Sequence, residues 1–402
     1  MRNIREKRID TKYQIDAGVF EEVRRVFNQA IDIGYIAPAG DNDFIRQLKT
    51  NADVFAAFKT HRMGRDIASR LLDDQGNVKS FEQFRTDTAG IVDHHVNSWL
   101  RTEYDTAIKR AHRVAEMRQF ISEADVFPNI EWLPSTAVNP RESHMPFYHH
   151  IWAADDPFWE HHKPGDEWGC QCHWASTDEP TTDNSGLGDV VAPPSPGLGG
   201  NPARTGQIFS DDHPYFPSDC AHCAFKGRQL SLFSNKTKDC YNCANVTKAI
   251  QVAKDEAYAI RIKAQKESFL SIRNTIKNKI GYKAELSIPK GYGHGTGILK
   301  ITPDSVKNCL RSYKHTPTVD SKKCMLDALQ HPMRLKHIEW KLLGANKDLN
   351  NPKDALNIAK KIKRGVVAYN YYEYKFNDKV WVLGFEEMAD GFEQMYFVAL
   401  KS

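Results

Sequence analysis

Two cysteine pairs, Cys220-x-x-Cys223 and Cys240-x-x-Cys243, stand sixteen residues apart, and no other local pattern constrains the chain as tightly. Each pair forms a knuckle, and two knuckles bring four thiolates around one tetrahedral ion at about 2.3 Å each, the arrangement of structural zinc. Two disulfides are disfavoured in a reducing cytoplasm, and a redox dithiol is disfavoured by the second pair and by the lack of a thioredoxin-like context. Four thiolates leave no position for water, so zinc is expected as a structural cofactor of a knuckle spanning residues 220–245. Cys309 and Cys324 stand alone and read as core residues.

The chain of 402 residues exceeds one comfortable hydrophobic core, which points to a multidomain protein. Its net charge of +4 hides an asymmetry. Residues 1–243 hold 27 Lys and Arg against 35 Asp and Glu, a net −8, whereas residues 244–402 hold 28 against 16, a net +12. A basic domain of that size attracts phosphates, so nucleic acid is a candidate partner of the C-terminal half. No apolar run approaches a membrane span, and the polar start, MRNIREKRIDTKYQ, lacks the apolar centre of an export signal. Synthesis in the cytoplasm, with no membrane partner, is expected.

Apolar residues recur at helical spacing over 16–30 and 41–73, as in Val54, Phe55, Phe58, Ile67 and Leu71. Ser80 followed by Gln83 fits a capping box, and the stripe from Phe81 and Phe84 through Ile91, Trp99, Tyr104, Val114 and Phe120 predicts one long helix, or two broken near Gly90. From Phe127 to Trp174 helical periodicity is lost among Pro, His, Trp and Asp, which predicts an irregular Cys/His lobe. Residues 178–203 are rich in Pro, Gly, Ser and Thr and read as a linker or exposed loop. A connecting helix is expected over 246–282. Beyond it, a strand at 297–301, a helix capped by Asp304, a helix over 321–331 and strands at 366–376, 379–385 and 392–399, turned at Asn377-Asp378 and Asp390-Gly391, predict an α+β domain, residues 283–402, ending in an antiparallel sheet. The fold class is thus a mainly α N-terminal domain with an irregular lobe, a zinc knuckle and an α+β C-terminal domain.

A third cysteine motif, Cys170-x-Cys172, lies near His144, His149, His150, His161, His162 and His173. Thiolate and imidazole are the ligands zinc prefers, which makes His144, Cys170 and Cys172 a candidate second metal site. The alternative is that the thiols stay reduced and buried among Trp and Pro. A Cys/His protease is disfavoured, because no oxyanion hole or orienting acid stands at a recognisable spacing.

Two stretches carry a family resemblance. Trp99-Leu100-Arg101-Thr102-Glu103-Tyr104 opens a helix that continues to Phe120; Arg141-Glu142-Ser143-His144 is followed by Asp155-Asp156-Pro157-Phe158-Trp159 and by Gly169-Cys170-Gln171-Cys172. These resemble, in order and separation, motifs of the phage Mu F-like minor head (phage head morphogenesis) family, with Gln171 standing where the family has Arg. The segment Asn201-Pro202-Ala203-Arg204-Thr205-Gly206 through Tyr215-Phe216 resembles a tail segment of Mu-like members. The resemblance implies a minor head domain over 1–177 and a linker and tail segment over 178–219, with Arg101, Arg141, His144, Asp156 and Trp159 as motif residues. It further implies a bacteriophage or prophage protein made in a bacterium, present at a few copies in the virion, partnered by portal and capsid proteins and acting in head morphogenesis.

The C-terminal domain resembles, in architecture only, the barnase/EndoU/colicin/RelE class of metal-independent ribonucleases. Such chemistry needs a base for the 2′-hydroxyl, an acid for the leaving oxygen and a cation for the phosphorane, so His315, His337, Lys336, Arg364 and Tyr372 are the candidate catalytic residues. The alternatives are a polymorphic ribonuclease toxin as the main activity, or a head appendage that binds RNA or packaged DNA without catalysis.

Overall fold

The computed structural model describes all residues except 37–40, 188–192, 227–236, 291–294, 312–314, 346, 349 and 402. Part of the expected linker and the loop between the two cysteine pairs therefore lie outside the described residues. The chain divides into two compact units, Met1–Ala257 and Tyr258–Ser402. The division falls inside one helix, Ala244–Thr275, where the sequence suggested a connecting helix. No helix among the described residues is long and apolar enough to cross a membrane.

In the first unit, Asp16 caps the helix Ala17–Gly34 by accepting from the amides of Gly18 and Val19 at 3.1 Å each. Its apolar stripe, Phe20, Val23, Phe27, Ala30 and Ile31, is buried against the helix Asn42–Ala68, which contributes Phe55 and Phe58. Ser80 starts the helix Phe81–Asp93 by accepting from the Gln83 amide at 3.2 Å. The Gln83 side chain turns forward to Asp87 instead of back, so half of the expected capping box forms. The helix does not break at Gly90. One π-turn, His94–Ser98, carries it into the helix Trp99–Ser122 and turns His95 inward, 3.1 Å from Asp66.

Two buried charges fasten this second half. Glu103 meets Lys59 at 2.8 Å and accepts from the Tyr215 hydroxyl at 2.7 Å. Arg110, wholly enclosed, donates to the carbonyls of Ile208 at 2.6 Å and of Gly165 and Leu198 at 2.9 Å. Burial pulls its guanidinium down to about 10, a measure of how little water reaches it. Leu198, Ala203, Ile208, Phe209, Tyr215 and Phe216 are all buried, so the described residues from 195 onward belong to the core of this unit and not to a free linker. Composition does not reveal this, because the segment is anchored through its carbonyls as much as through its few apolar side chains.

The lobe expected to be irregular contains a three-stranded antiparallel sheet, order β2-β1-β3, formed by β1 (Asn129–Leu133), β2 (Ile151–Ala153) and β3 (His173–Thr177). Ile130, Trp132, Trp152 and Trp174 point inward, and Trp132 and Trp159 are among the largest fully buried side chains of the protein. Strands of three to five residues inside a Pro- and His-rich stretch leave too little alternation to be seen in the sequence.

The second unit is a six-stranded sheet of order β4-β5-β9-β8-β7-β6: β4 (Glu285–Ser287), β5 (Ile298–Lys300), β6 (Lys336–Leu342), β7 (Val366–Phe376), β8 (Lys379–Met388) and β9 (Glu393–Leu400). The expected meander β7-β8-β9 is present, with Asn377 and Asp378 both at positive φ, as a two-residue hairpin turn requires. The sheet as a whole is mixed, not purely antiparallel, because β5 runs parallel to β9. The helices Pro303–Arg311 and Val319–Gln330 supply Val306, Leu310, Met325 and Leu329 to a core against Tyr372, Tyr374, Leu383, Phe385, Met395 and Val398.

Candidate functional site

His144 sits on a 3-10 turn, Glu142–Phe147, directly after Arg141. Arg141 donates to the Trp168 carbonyl and lies 3.6 Å from Glu167, tying that turn to the segment that carries the thiols. Asp156 accepts from the Phe158 amide at 2.8 Å and starts the short helix Phe158–His161, whose Trp159 donates to the Ala153 carbonyl at 2.9 Å and closes one wall. Phe147, Trp152, Phe158 and Trp174 complete an aromatic box. Of the motif residues, Arg141, His144, Asp156 and Trp159 thus build one site, whereas Arg101 is exposed on the first turn of its helix.

Inside this box lie His144, Cys170 and Cys172. They are buried, and their donor atoms lie within 4.8 Å of one another, which is true of no other group of three or more such residues among the described residues. Nδ1 of His144 is 3.5 Å from each Sγ. Bond lengths of about 2.3 Å to sulfur and about 2.05 Å to nitrogen at a tetrahedral angle give an edge of about 3.5 Å, so the spacing fits a zinc-sized ion. Nε2 lies 2.9 Å from Oδ1 of Asp166, placing a carboxylate beside the imidazole as is usual for a ligating histidine. Tyr148 Oη stands 4.0 Å from the Cys172 sulfur.

The electrostatics of the pocket hold its protons. Burial alone pushes the His144 imidazole down, yet Asp166 and Cys170 outweigh it and lift the group to about 10. Burial raises Asp166, but the imidazoles of His144 and His162 beside it hold its carboxyl well below the usual carboxylate range. Contact with Cys172, then burial, pushes the Cys170 thiol up. Without a metal the pocket therefore holds a proton on His144, and a divalent ion would bind these three residues only by displacing that proton and ionising the thiols, so its binding would release protons.

The four knuckle cysteines do not converge in the same way. Cys220 is exposed, Cys223 and Cys240 are buried and Cys243 is partly covered. Burial pushes the Cys223 thiol up, and Cys243 and Cys220 add to the effect, so the pairs are neighbours without a closed ligand set among the described residues.

In the second unit the candidate catalytic residues separate onto different surfaces. Tyr372 is buried on the core face, its hydroxyl donating to Glu393 at 3.1 Å. His337 stands beside it, with Nε2 2.9 Å from Oδ1 of Asn370. Lys336 is exposed at the start of β6. His315 and Arg364 instead approach the outer face. The His315 ring is 4.6 Å from that of Tyr396, Lys361 Nζ is 3.8 Å above the Tyr396 ring, and Lys361 and Arg364 hold Glu386 at 2.5 and 2.7 Å. The sequence reading missed Asp166, Lys361, Glu386 and Tyr396. Asp166 lies 22 residues beyond His144, and nothing in that interval marks it as a partner.

Burial pushes the Glu393 carboxyl up to about 7; the Tyr372 hydroxyl pulls it back, while Glu387, directly opposite on β8, pushes it further up. The sign follows by linkage: folded protein holds this proton more tightly than unfolded chain, so stability is greatest below about 4.5 and falls as pH rises to about 7. Urea unfolding between pH 4.5 and 8 is expected to show that decline, and Glu393→Gln to flatten it and raise the midpoint at pH 8. An unchanged slope in the variant counts against this account.

The site thus defines a protein with a buried His/Cys group that could hold a metal ion in one unit and a basic mixed sheet in the other. Over 88 residues the chain is 30% identical to the "Mu-like prophage FluMu F protein" of Haemophilus influenzae, a match covering 22% of this chain and 21% of that protein. No family model and no solved structure matches the chain.

Proposed function

We propose that the chain is a minor head protein of a Mu-like phage or prophage, acting in head morphogenesis near the portal. The observation that carries this reading is the 88-residue similarity to a Mu-like prophage F protein; the enclosed lobe of Arg141, His144, Asp156 and Trp159 supports it. Zinc at His144, Cys170 and Cys172 would staple that lobe, and a second zinc at Cys220, Cys223, Cys240 and Cys243 would close the knuckle. Mass spectrometry of purified particles is expected to find the chain at a few copies against the major capsid protein, in proheads or mature virions. Its absence from both would overturn the reading.

The C-terminal unit supports a second activity, metal-independent ribonuclease cleavage. Residues 258–402 hold 26 Lys and Arg against 14 Asp and Glu, a net +12, and His315, Lys361, Arg364 and Glu386 gather around Tyr396. In the cleavage step a base, Glu386 or His315, takes the 2′-hydroxyl proton. O2′ bonds to phosphorus while the 5′-oxygen leaves with a proton from the other group, and Lys361 and Arg364 face the phosphorane charge. Transesterification of this kind consumes no co-reactant.

A further inference from the structure

We propose that the outer face of the C-terminal sheet binds a single-stranded polynucleotide, stacking its bases on Tyr371, Phe397, Tyr369 and Tyr396 between lysines that hold its phosphates. This names the substrate form of the proposed ribonuclease, and it rests on the reading of this unit as one that handles nucleic acid. Strand alternation sends Tyr372, Tyr374, Leu383 and Phe385 into the core and leaves Tyr369 and Tyr371 on the opposite face. An antiparallel sheet with one packed face usually offers polar side chains to water on the other. Here the register places Tyr371 opposite Gly384 and Gly384 opposite Phe397, and Tyr369 opposite Glu386.

The result is a connected aromatic surface of half-buried rings. Centroids are 5.3 Å apart for Tyr369 and Tyr396, 5.7 Å for Tyr396 and Phe397, and 5.8 Å for Tyr371 and Phe397. Gly384 makes this possible, because a Cβ there would enter the Phe397 ring. Cations border the rings. Lys361 lies over Tyr396 and Tyr369, Lys341 is 5.5 Å from the Tyr371 centroid, and Arg364 stands over Glu386. The carboxylates on this face do not cancel them: Glu386 is shared by two cations, and Glu339 and Glu373 each meet a lysine, Lys341 and Lys401.

Base stacking on aromatic side chains flanked by cations is how proteins grip single strands, and it excludes a duplex, whose base faces are already covered. The test uses the full chain and fluorescein-labelled 12-mers of one mixed sequence: 2′-O-methyl RNA, which lacks the attacking hydroxyl, DNA, and the corresponding duplexes. Single strands are expected to bind about tenfold or more tightly than duplexes, with Tyr371→Ala and Phe397→Ala each weakening them about tenfold and Tyr371→Phe leaving affinity nearly intact. Lys361→Met and Lys341→Met are expected to reduce the salt dependence. A preference for the 2′-O-methyl strand assigns the face to RNA, and equal binding of DNA assigns it to either source, packaged genome included. Duplex binding equal to single-strand binding, or affinities indifferent to both ring removals, would overturn the proposal, as would loss of head-protein association in those variants without any polynucleotide binding. Cleavage of ordinary RNA by the same preparations separates the two readings. Cleavage with ring-independent affinity sinks the platform alone, and ring-dependent binding without cleavage sinks the nuclease alone.

Discussion

Protein purified without chelator is expected to carry two zinc equivalents per chain, one at each cysteine centre. Cys220→Ser with Cys223→Ser should remove one equivalent and His144→Ala or Cys172→Ser the other, because the two proposed centres share no donor. The second loss should be the more damaging. Cys170 and Cys172 are linked through His144 and Asp166 to an aromatic box that contains Trp132 and Trp159, so a zinc held there would join buried thiols to that box, and its affinity would be folding free energy for the lobe. Asp166→Asn tests the support given to the ligand: zinc affinity should fall about 10- to 100-fold with the ligands untouched. Near-ultraviolet circular dichroism would report loosening of the tryptophan box. Elemental analysis that finds no zinc, or two equivalents retained by His144→Ala, would refute the assignment.

Induced expression of residues 258–402, a unit with its own core, is expected to arrest bacterial growth, and the purified protein to degrade total RNA. Activity should survive EDTA if His315, Glu386, Lys361 and Arg364 carry the chemistry as proposed. His315→Ala or Glu386→Gln should each lower the cleavage rate about a hundredfold or more if those groups transfer the protons. His337→Ala should do far less, because its ring is engaged with Asn370 beside the packed face. Lys361→Met removes charge next to the developing phosphorane and should reduce kcat more than it raises KM. A harmless unit that leaves RNA intact would end the nuclease reading and keep the basic sheet as a binding appendage.

How far these sites could be read from the sequence depended on range. Local chemistry was legible: Ser80 caps its helix, Asn377-Asp378 turns the hairpin, and the Cys170-x-Cys172 motif pointed at His144, which does lie against both thiols. Partners set by tertiary approach were not. Asp166 becomes the support of His144 only when the loop after Lys163 folds back, and Glu386 meets Lys361 only across a helix and two strands. β6, Lys-His-Ile-Glu-Trp-Lys-Leu, went unseen because its charged residues mask the alternation. The candidate catalytic histidines were chosen by residue type alone, and the sheet then put His315 and His337 on different surfaces.

The position of β9 has a consequence for synthesis. This strand lies between β5 and β8, in the interior of the sheet, although β8 is its nearest neighbour along the chain and Leu299 of β5 precedes its partner Glu393 by more than ninety residues. A ribosome must pass Leu400 before the sheet can close, and pairing across that separation is slow to form. Until then β5 and β8 each keep an open edge and the rings of Tyr396 and Phe397 have no scaffold. Whatever the outer face does to polynucleotides, a nascent chain that has not yet reached β9 does not possess it.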